Sequence, residues 1–233
     1  MLETISRAVR NIWTRITDAV KDYYQRWQER LRYLEDHEKY INEILQFDGQ
    51  YHPSESDIEL LEKLKNYIEA NYPNGIEEKF VGLSDEEMVE TFKEIVNDAS
   101  ALMEVPISEI NFFTPESERE IPLFGFFGRE DNSININLAM LLSGDESLIK
   151  EQFFTVFHEM KHALQWAVVL NPERYNIPPE VVSEWAYNFL HYISCFENDE
   201  AYLKQPLEMD TFGLEEVLKG NISIDDLKEQ QAK

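Results

Sequence analysis

The stretch FFTVFHEMKHALQW, residues 153–166, is the most informative part of this 233-residue chain. Its apolar side chains recur every three to four residues, which is typical of an amphipathic helix. Steps of about 100° per residue place its polar side chains in one continuous stripe. That stripe consists of Glu151, Gln152, Thr155, His158, Glu159, Lys161, His162 and Gln165. The apolar face opposite consists of Phe153, Val156, Phe157, Met160, Ala163, Leu164, Ala167 and Val168.

Two histidines and a glutamate lie near the middle of the stripe, in the order His-Glu-x-x-His. His158 and His162 are four residues apart, so on a helix both imidazoles face the same side and can reach one metal ion. Zinc binds neutral imidazole, and a catalytic zinc needs a third protein ligand and an open position. Glu159 is rotated by about 100° and is placed to act as a general base. A plain surface helix with a solvated polar face is the alternative, which periodicity alone does not exclude.

The segments before this helix are short, apolar and aromatic, which predicts strands. They are SEINFFT (108–114), IPLFGFFG (121–128) and NSININL (132–138), and the turn-forming GREDNS (128–133) indicates a hairpin between the last two. We therefore predict an α+β fold that is mainly helical, with a small antiparallel sheet packed on the motif helix. One further helix is predicted with Ser56 or Asp57 as its cap, running to about Ala70, and another is predicted to begin with a Ser84–Glu87 capping box.

Two more helices are predicted after the motif, each beginning at a proline. Pro179 begins the first, which we expect to continue to about Glu197. Pro206 begins the second, PLEMDTFGLEEVLKG (206–220), and the chain after Gly220 is polar. The motif helix is thus expected to lie between a sheet and a helical C-terminal part.

The first 50 residues are predicted to form a separate arm, so that the domains are 1–50 and 51–233. Apolar residues recur at helical spacing through residues 2–46, and FDGQYHPSES (47–56) is typical of a linker. Three roles stay open for this amphipathic helix. The first is packing on the following domain, the second is association with a partner protein or a second copy, and the third is binding to a membrane surface.

The chain is strongly acidic, with a formal net charge of −25. All of the excess lies in residues 48–233, which contain 38 acidic and 13 basic residues. Such a surface repels a phosphate backbone, which argues against nucleic-acid binding. High solubility and attraction of a basic substrate are the two interpretations left open.

The single cysteine, Cys195, excludes an internal disulfide and a cysteine-rich metal site, and we interpret it as a small buried residue. No short apolar stretch with a cleavage site follows Met1, so we expect no signal peptide, and no run of about 18 apolar residues predicts a membrane span. We expect a cytoplasmic protein, and export without a leader stays open.

The segments FHEMKHALQW (157–166) and NSININLAML (132–141) together resemble the zincin metallopeptidases. YLKQPLEMDTFGLEE (202–216) resembles the third-ligand helix of compact zincins from phages and mobile elements, the ImmA/IrrE-type peptidases among them. In that helix the pattern Pro-x-Glu-x-Asp/Glu-Ala carries the ligand, and its glutamate corresponds to Glu208. Thr211 departs from the pattern, which has alanine there. The resemblance covers about residues 109–219 and does not reach the N-terminal helix.

This resemblance implies a zinc ion bound by His158, His162 and Glu208, with Glu159 as the general base of peptide-bond hydrolysis. Glu184 is a rival third ligand, because it follows His162 at the short spacing of thermolysin-like relatives. Asp210 is a further rival. A protein or peptide substrate is expected to add as an extended strand beside NSININL.

Four side chains are candidates for stabilising the oxyanion of the tetrahedral intermediate, although each is also a normal packing residue: Tyr187, His191, Tyr192 and Tyr202. His37 and His52 are interpreted as structural. The alternative to an enzyme is an interaction module of a phage or mobile element. In that case the zinc site is structural or inactive, and the N-terminal helix binds a partner.

Overall fold

The computed structural model describes Tyr51, residues 53–115 and residues 123–232. The predictions for the N-terminal helical arm, its partner, His37 and His52 lie outside these residues. The described part is mainly helical and contains one three-stranded sheet, which confirms the α+β class.

The described residues form eight α-helices and three strands. In chain order these are α1 (Glu55–Asn71), α2 (Asp85–Met103), β1 (Glu109–Phe113), β2 (Gly125–Gly128), β3 (Ser133–Asn137), α3 (Leu138–Leu141), α4 (Glu146–Leu170), α5 (Pro179–Leu190), α6 (Asp199–Leu203), α7 (Pro206–Lys219) and α8 (Ile224–Gln231). Single 3-10 turns occupy Glu77–Phe80 and Pro172–Arg174.

Two capping boxes fix where the first helices begin. In α2 the box is the predicted one, with the Glu87 amide 3.3 Å from Ser84 Oγ and the Ser84 amide 2.8 Å from Glu87 Oε2. In α1 the cap is Ser54, whose hydroxyl accepts from the Asp57 amide at 3.2 Å. The predicted cap at Ser56 or Asp57 was therefore two to three residues late, because Asp57 is the reciprocal partner in the box and Ser54 is the cap.

The sheet is mixed, and the prediction of an antiparallel sheet was wrong for one of its pairs. Strand β2 pairs antiparallel with β3, as the hairpin turn predicts. Strand β1 pairs parallel with β3, in register from Glu109 opposite Ser133 to Phe113 opposite Asn137. A hairpin constrains only the two strands that it joins, so the direction of β1 is set by long-range packing. Since the strand order is β1-β3-β2, β3 is central and has no free edge.

Helix α4 lies at the centre of the domain, in contact with α2, α5, α7 and the sheet. Its apolar face packs into the main core, where the Phe153 ring lies 4.9 Å from that of Tyr72 and 5.2 Å from that of Phe157. Most of its polar stripe is also buried, with exposed fractions of 0% for Gln152 and 1% for Lys161. The alternative of a plain surface helix with a solvated face is therefore wrong.

Helix α5 ends at Leu190, although the pattern predicted a helix to about Glu197. The side chain of Gln205 accounts for this earlier end of the helix. Its Oε1 accepts from the Ile193 amide at 2.8 Å and its Nε2 donates to the Ile193 carbonyl at 2.7 Å. These bonds replace those that a longer helix would make, and residues 191–198 form a loop.

The polar tail contains a helix that the sequence analysis did not predict. In α8 the side chains of Ile224 and Leu227 are buried against the main core, and this contact holds an otherwise polar segment in place. None of the helices in the described part of the chain is long and apolar enough to cross a membrane.

Candidate metal centre

Helices α4 and α7 bring three potential ligands together. Nε2 of His158 lies 3.4 Å from Oε2 of Glu208, and Nε2 of His162 lies 3.3 Å from Oε1. The ligand atoms of the three residues lie within 4.8 Å of one another, and all three residues are buried. The structure thus places together the three residues that the sequence singled out as ligands.

The first turn of α7 is fixed to its neighbours through the backbone of Leu207. The Leu207 amide donates to Oδ1 of Asn188 in α5 at 3.1 Å, and its carbonyl accepts from Nε2 of Gln165 in α4 at 3.1 Å. The Leu207 side chain belongs to a small core with Val168 and Trp185. Glu208 follows directly, so the contacts of the Leu207 backbone with α4 and α5 fix the place from which its carboxylate reaches the histidines.

The outer nitrogen of each imidazole has its own polar partner. Nδ1 of His158 lies 2.9 Å from Oε2 of Glu215, whose other oxygen is 2.9 Å from Nζ of Lys219. That ammonium also donates to Glu151 at 2.8 Å. A buried chain of charges therefore runs from His158 across α7 and back to α4.

Nδ1 of His162 lies 2.9 Å from Oε1 of Gln165, whose Nε2 donates to Oδ2 of Asp210 at 2.8 Å. Asp210 is 3.1 Å from Nζ of Lys161, which also donates to Oδ1 of Asp57 in α1 at 2.8 Å. An imidazole that donates from Nδ1 presents the lone pair of Nε2 to a metal. Both networks thus leave the Nε2 atoms facing Glu208.

The cluster fits zinc by chemistry and by size. Two imidazoles and one carboxylate are a ligand set of catalytic zinc sites, which bind the ion at about 2.0–2.2 Å, so ligand atoms around one ion lie roughly 3.3–3.6 Å apart. The contacts of 3.3 and 3.4 Å match this spacing. Oε2 of Glu208 is buried and accepts no hydrogen bond from any described residue, so a cation would supply its missing partner.

The electrostatics of the cluster also favour a positive charge beside Glu208. Burial lowers the pKa of His158, but its contacts with the carboxylates of Glu208 and Glu215 outweigh that effect and raise the pKa to about 10. Burial likewise opposes charge on His162, and Glu208 again raises its pKa. For Glu208 burial raises the pKa, but the two imidazoles hold it well below its usual range. The Glu208 carboxylate is therefore ionised, and a bound metal cation would supply the positive charge that protonated imidazoles otherwise provide beside it.

Glu159 lies beside the cluster and not within it. Its carboxylate lines the same cleft as the two histidines. Burial raises the pKa of Glu159, while the nearby imidazoles and a hydrogen bond from the Phe127 backbone act in the opposite direction. A buried carboxylate within reach of a cationic centre is the arrangement that a general base requires.

A cleft of about 250 Å³ opens at this point, between β2 and the loop after α5. His158, Glu159 and His162 lie at its base. Gly125 permits β2 to approach α4 closely, because a Cβ there would lie 2.8 Å from the Asn135 carbonyl oxygen and 3.0 Å from Cγ2 of Thr155. Most of the remaining lining is aromatic, namely Phe126, Phe127, Phe189, Tyr192, Phe196 and Tyr202.

The structure separates the four oxyanion candidates into two groups. Tyr187 and His191 stack on each other at 4.0 Å on the exposed side of α5, and neither is among the residues that line the cleft. Tyr192 and Tyr202 do line it. The Tyr192 hydroxyl donates to Oε1 of Glu208 at 2.6 Å, so it is in contact with the candidate centre.

The rival ligands lie elsewhere. Glu184 is on the exposed side of α5 and belongs to no cluster with the histidines. Asp210 is engaged by Lys161 and Gln165. Thr211, the departure from the family pattern, is buried and donates to the Leu207 carbonyl at 2.7 Å, so the hydroxyl is accommodated without disturbing Glu208.

Sequence reasoning missed two features of the site. Glu215 received no role, although it is seven residues after Glu208 and hence on the same helix face. That spacing was the available signal. Cys195 was interpreted as buried, but it is partly exposed and lines the cleft, because the chain leaves the helical path after Leu190.

Comparison of the chain with models of protein families, with curated proteins and with solved structures finds no match.

Proposed function

We propose that the protein is a cytoplasmic zinc-dependent peptidase of the zincin type, resembling the compact ImmA/IrrE-like peptidases of phages and mobile elements. One observation carries this proposal. His158, His162 and Glu208 bring three ligand atoms within 4.8 Å of one another, at the base of a cleft that also contains Glu159. A purely structural zinc would have no use for a buried carboxylate in an open cleft.

Zinc bound by His158, His162 and Glu208 would lower the pKa of a water molecule and polarise the carbonyl of the scissile peptide bond. Glu159 accepts the proton of the attacking water and passes it to the leaving amine. Glu215 and Gln165 orient the imidazoles through their Nδ1 atoms. Each role thus falls to a side chain that is already positioned by the fold.

The backbone of the substrate is assigned to the outer edge of β2. The sequence analysis expected it beside β3, but β1 and β2 occupy both sides of that strand. In the described part of the chain no strand pairs with the other side of β2, which lines the cleft through Gly125, Phe126 and Phe127. An extended peptide can add there by main-chain hydrogen bonds.

The test combines metal analysis with one isosteric substitution. The purified protein is expected to contain close to one equivalent of zinc, and His158→Ala should lose most of it. Glu159→Gln keeps the shape of the side chain and removes the base. Its zinc content and thermal stability should stay near those of the wild type, while cleavage of a denatured protein substrate, followed by mass spectrometry, falls at least about 100-fold.

Two results would contradict the proposal. Absence of zinc, together with no rise in thermal stability when zinc is added, would remove the metal site. One equivalent of zinc without any cleavage that depends on Glu159 would instead favour a structural zinc in an interaction module.

A further inference from the structure

The cleft beside Glu159 is lined mainly by apolar side chains, although the chain as a whole is strongly acidic. Residues 48–233 contain 38 acidic residues, but Glu159 is the only carboxylate among the described residues that line the cleft. The wall is instead built from six aromatic side chains and Leu123. Within the described lining, the side chains that a substrate would meet are therefore mostly apolar, in contrast to the acidic excess of the chain.

Three of the large exposed apolar side chains line the same opening, namely Phe126, Tyr192 and Phe196. The large hydrophobic side chains exposed in the described part of the chain are Val81, Phe126, Leu170, Tyr187, Leu190, Tyr192, Ile193 and Phe196. All except Val81 and Leu170 belong to β2 or to residues 187–196 at the end of α5 and in the following loop. Phe126 and Phe196 line the cleft and are 42% and 46% exposed. Exposed apolar side chains grouped at one site indicate a surface that receives an apolar partner.

Among the described residues that line the cleft, Arg129 is the one arginine or lysine, and its guanidinium is already engaged. Nη1 of Arg129 donates to the Phe189 carbonyl at 2.7 Å, and its guanidinium lies 5.5 Å from the Phe189 ring centroid and 5.6 Å from that of Trp166. These contacts join the turn after β2 to the end of α5. Arg129 thus holds the two walls together, and an aromatic surface remains as the main feature that a substrate side chain would meet.

We propose that the cleft selects peptides with a bulky apolar side chain, aromatic or long aliphatic, adjacent to the scissile bond, and that Phe196 is a specificity-determining residue. This inference rests on the proposed peptidase function. Because burial of a side chain of this size is worth roughly a 10- to 100-fold gain, kcat/KM should exceed that of matched alanine peptides by that factor.

The test uses a peptide library in which the residues flanking the cleaved bond vary, with zinc-loaded wild type and three variants. Phe196→Ser should lower kcat/KM for peptides with Phe or Leu about 10-fold and change the rate for alanine peptides little. Phe196→Lys should shift the preference towards Asp and Glu at that position. Leu170→Ser is the matched control, because Leu170 is 59% exposed and does not line the cleft, and it should leave the profile unchanged.

Measurements of peptide binding distinguish a failure of the proposed apolar selectivity from a failure of the proposed peptidase function. Peptides with Phe or Leu should bind zinc-loaded Glu159→Gln more tightly than alanine peptides, and Phe196→Ser in that background should remove the difference. If cleavage depends on Glu159 but shows no apolar preference, the inference fails and the peptidase function stands. If apolar peptides bind at the cleft and none is cleaved, the peptidase function fails and the apolar selectivity stands.

Discussion

His158 and His162 are equivalent in the sequence motif but not in their surroundings. Nδ1 of His158 contacts the carboxylate of Glu215, whereas Nδ1 of His162 contacts the neutral amide of Gln165. A carboxylate increases the basicity of the imidazole that it contacts more than an amide does. We therefore expect His158 to be the stronger of the two imidazole ligands.

Glu215→Gln tests this asymmetry. The substitution keeps the shape of the side chain and replaces the carboxylate beside His158, so zinc affinity should fall about 10- to 100-fold. Competition with a chromophoric chelator measures it. Glu184→Gln, on the exposed side of α5, is the control and should leave the affinity unchanged. Equal affinities for both variants would show that Glu215 does not tune the site.

A second substitution addresses the third ligand. Glu208→Ala leaves only two imidazoles, so zinc should be lost on dialysis and elemental analysis should find little of it. Glu184→Ala should retain about one equivalent, because its carboxylate is on the exposed side of α5. The opposite outcome would indicate the short-spaced, thermolysin-like arrangement that the sequence left open.

The motif residues were predictable because their geometry is local, since a helix fixes the relation of positions i and i+4. Glu208 was reached only through resemblance, because its distance from the histidines depends on how α7 packs on α4. The roles of Glu215 and Tyr192 depend on the same packing. Helical periodicity within one segment carries no information about such contacts.

At the scale of elements, the position of α7 depends on a close contact between Gly213 and Tyr51. A Cβ at Gly213 would overlap the carbons of the Tyr51 ring. The Tyr51 hydroxyl is buried without a hydrogen-bond partner among the described residues, so the contact with α7 is made by the ring. Glycine at this place lets the segment before α1 lie directly on α7.

Gly213→Ala should destabilise the protein by about 1–3 kcal/mol through overpacking. In a helix without such a neighbour, Gly→Ala raises the free energy of unfolding by roughly 1 kcal/mol. A decrease at Gly213 would therefore indicate the contact with the Tyr51 ring. Chemical denaturation measures it, and Tyr51→Ala is the background for comparison. If Gly213→Ala remains equally destabilising without the Tyr51 ring, the contact is not the cause.

Elements with a strong local signal were predicted well. The β2–β3 hairpin has its turn sequence, and α2 has its capping box. The parallel pairing of β1, the early end of α5 and the existence of α8 were not predicted. Each depends on a distant partner: β3 for the first, Gln205 for the second and the main core for the third.

At the scale of the whole molecule, Lys161 connects three helices. The Lys161 side chain is 1% exposed, and its ammonium lies between Asp57 of α1 and Asp210 of α7. Burial lowers the pKa of Lys161, but the two carboxylates outweigh that effect and keep the ammonium charged. Removal of one charge from such a group leaves the others buried and uncompensated.

Lys161→Met should therefore lower the free energy of unfolding by about 3–5 kcal/mol, measured by urea denaturation. Lys228→Met provides the control, since Lys228 pairs with Glu62 on the surface and its loss should have little effect. A small effect of Lys161→Met would show that the buried carboxylates find other partners.

The hydrogen bonds of Gln205 have a practical consequence for protein engineering. Its amide fixes Ile193 at one end of the loop after α5, and Asn198 begins α6 at the other end through a bond to the Ala201 amide. Residues 194–197 between these anchors include three that line the cleft, Ser194, Cys195 and Phe196. A combinatorial library could randomise these four positions while the anchors stay constant. The loop is thus a ready entry point for redesigning what the cleft accepts without rebuilding the helices that carry the histidines.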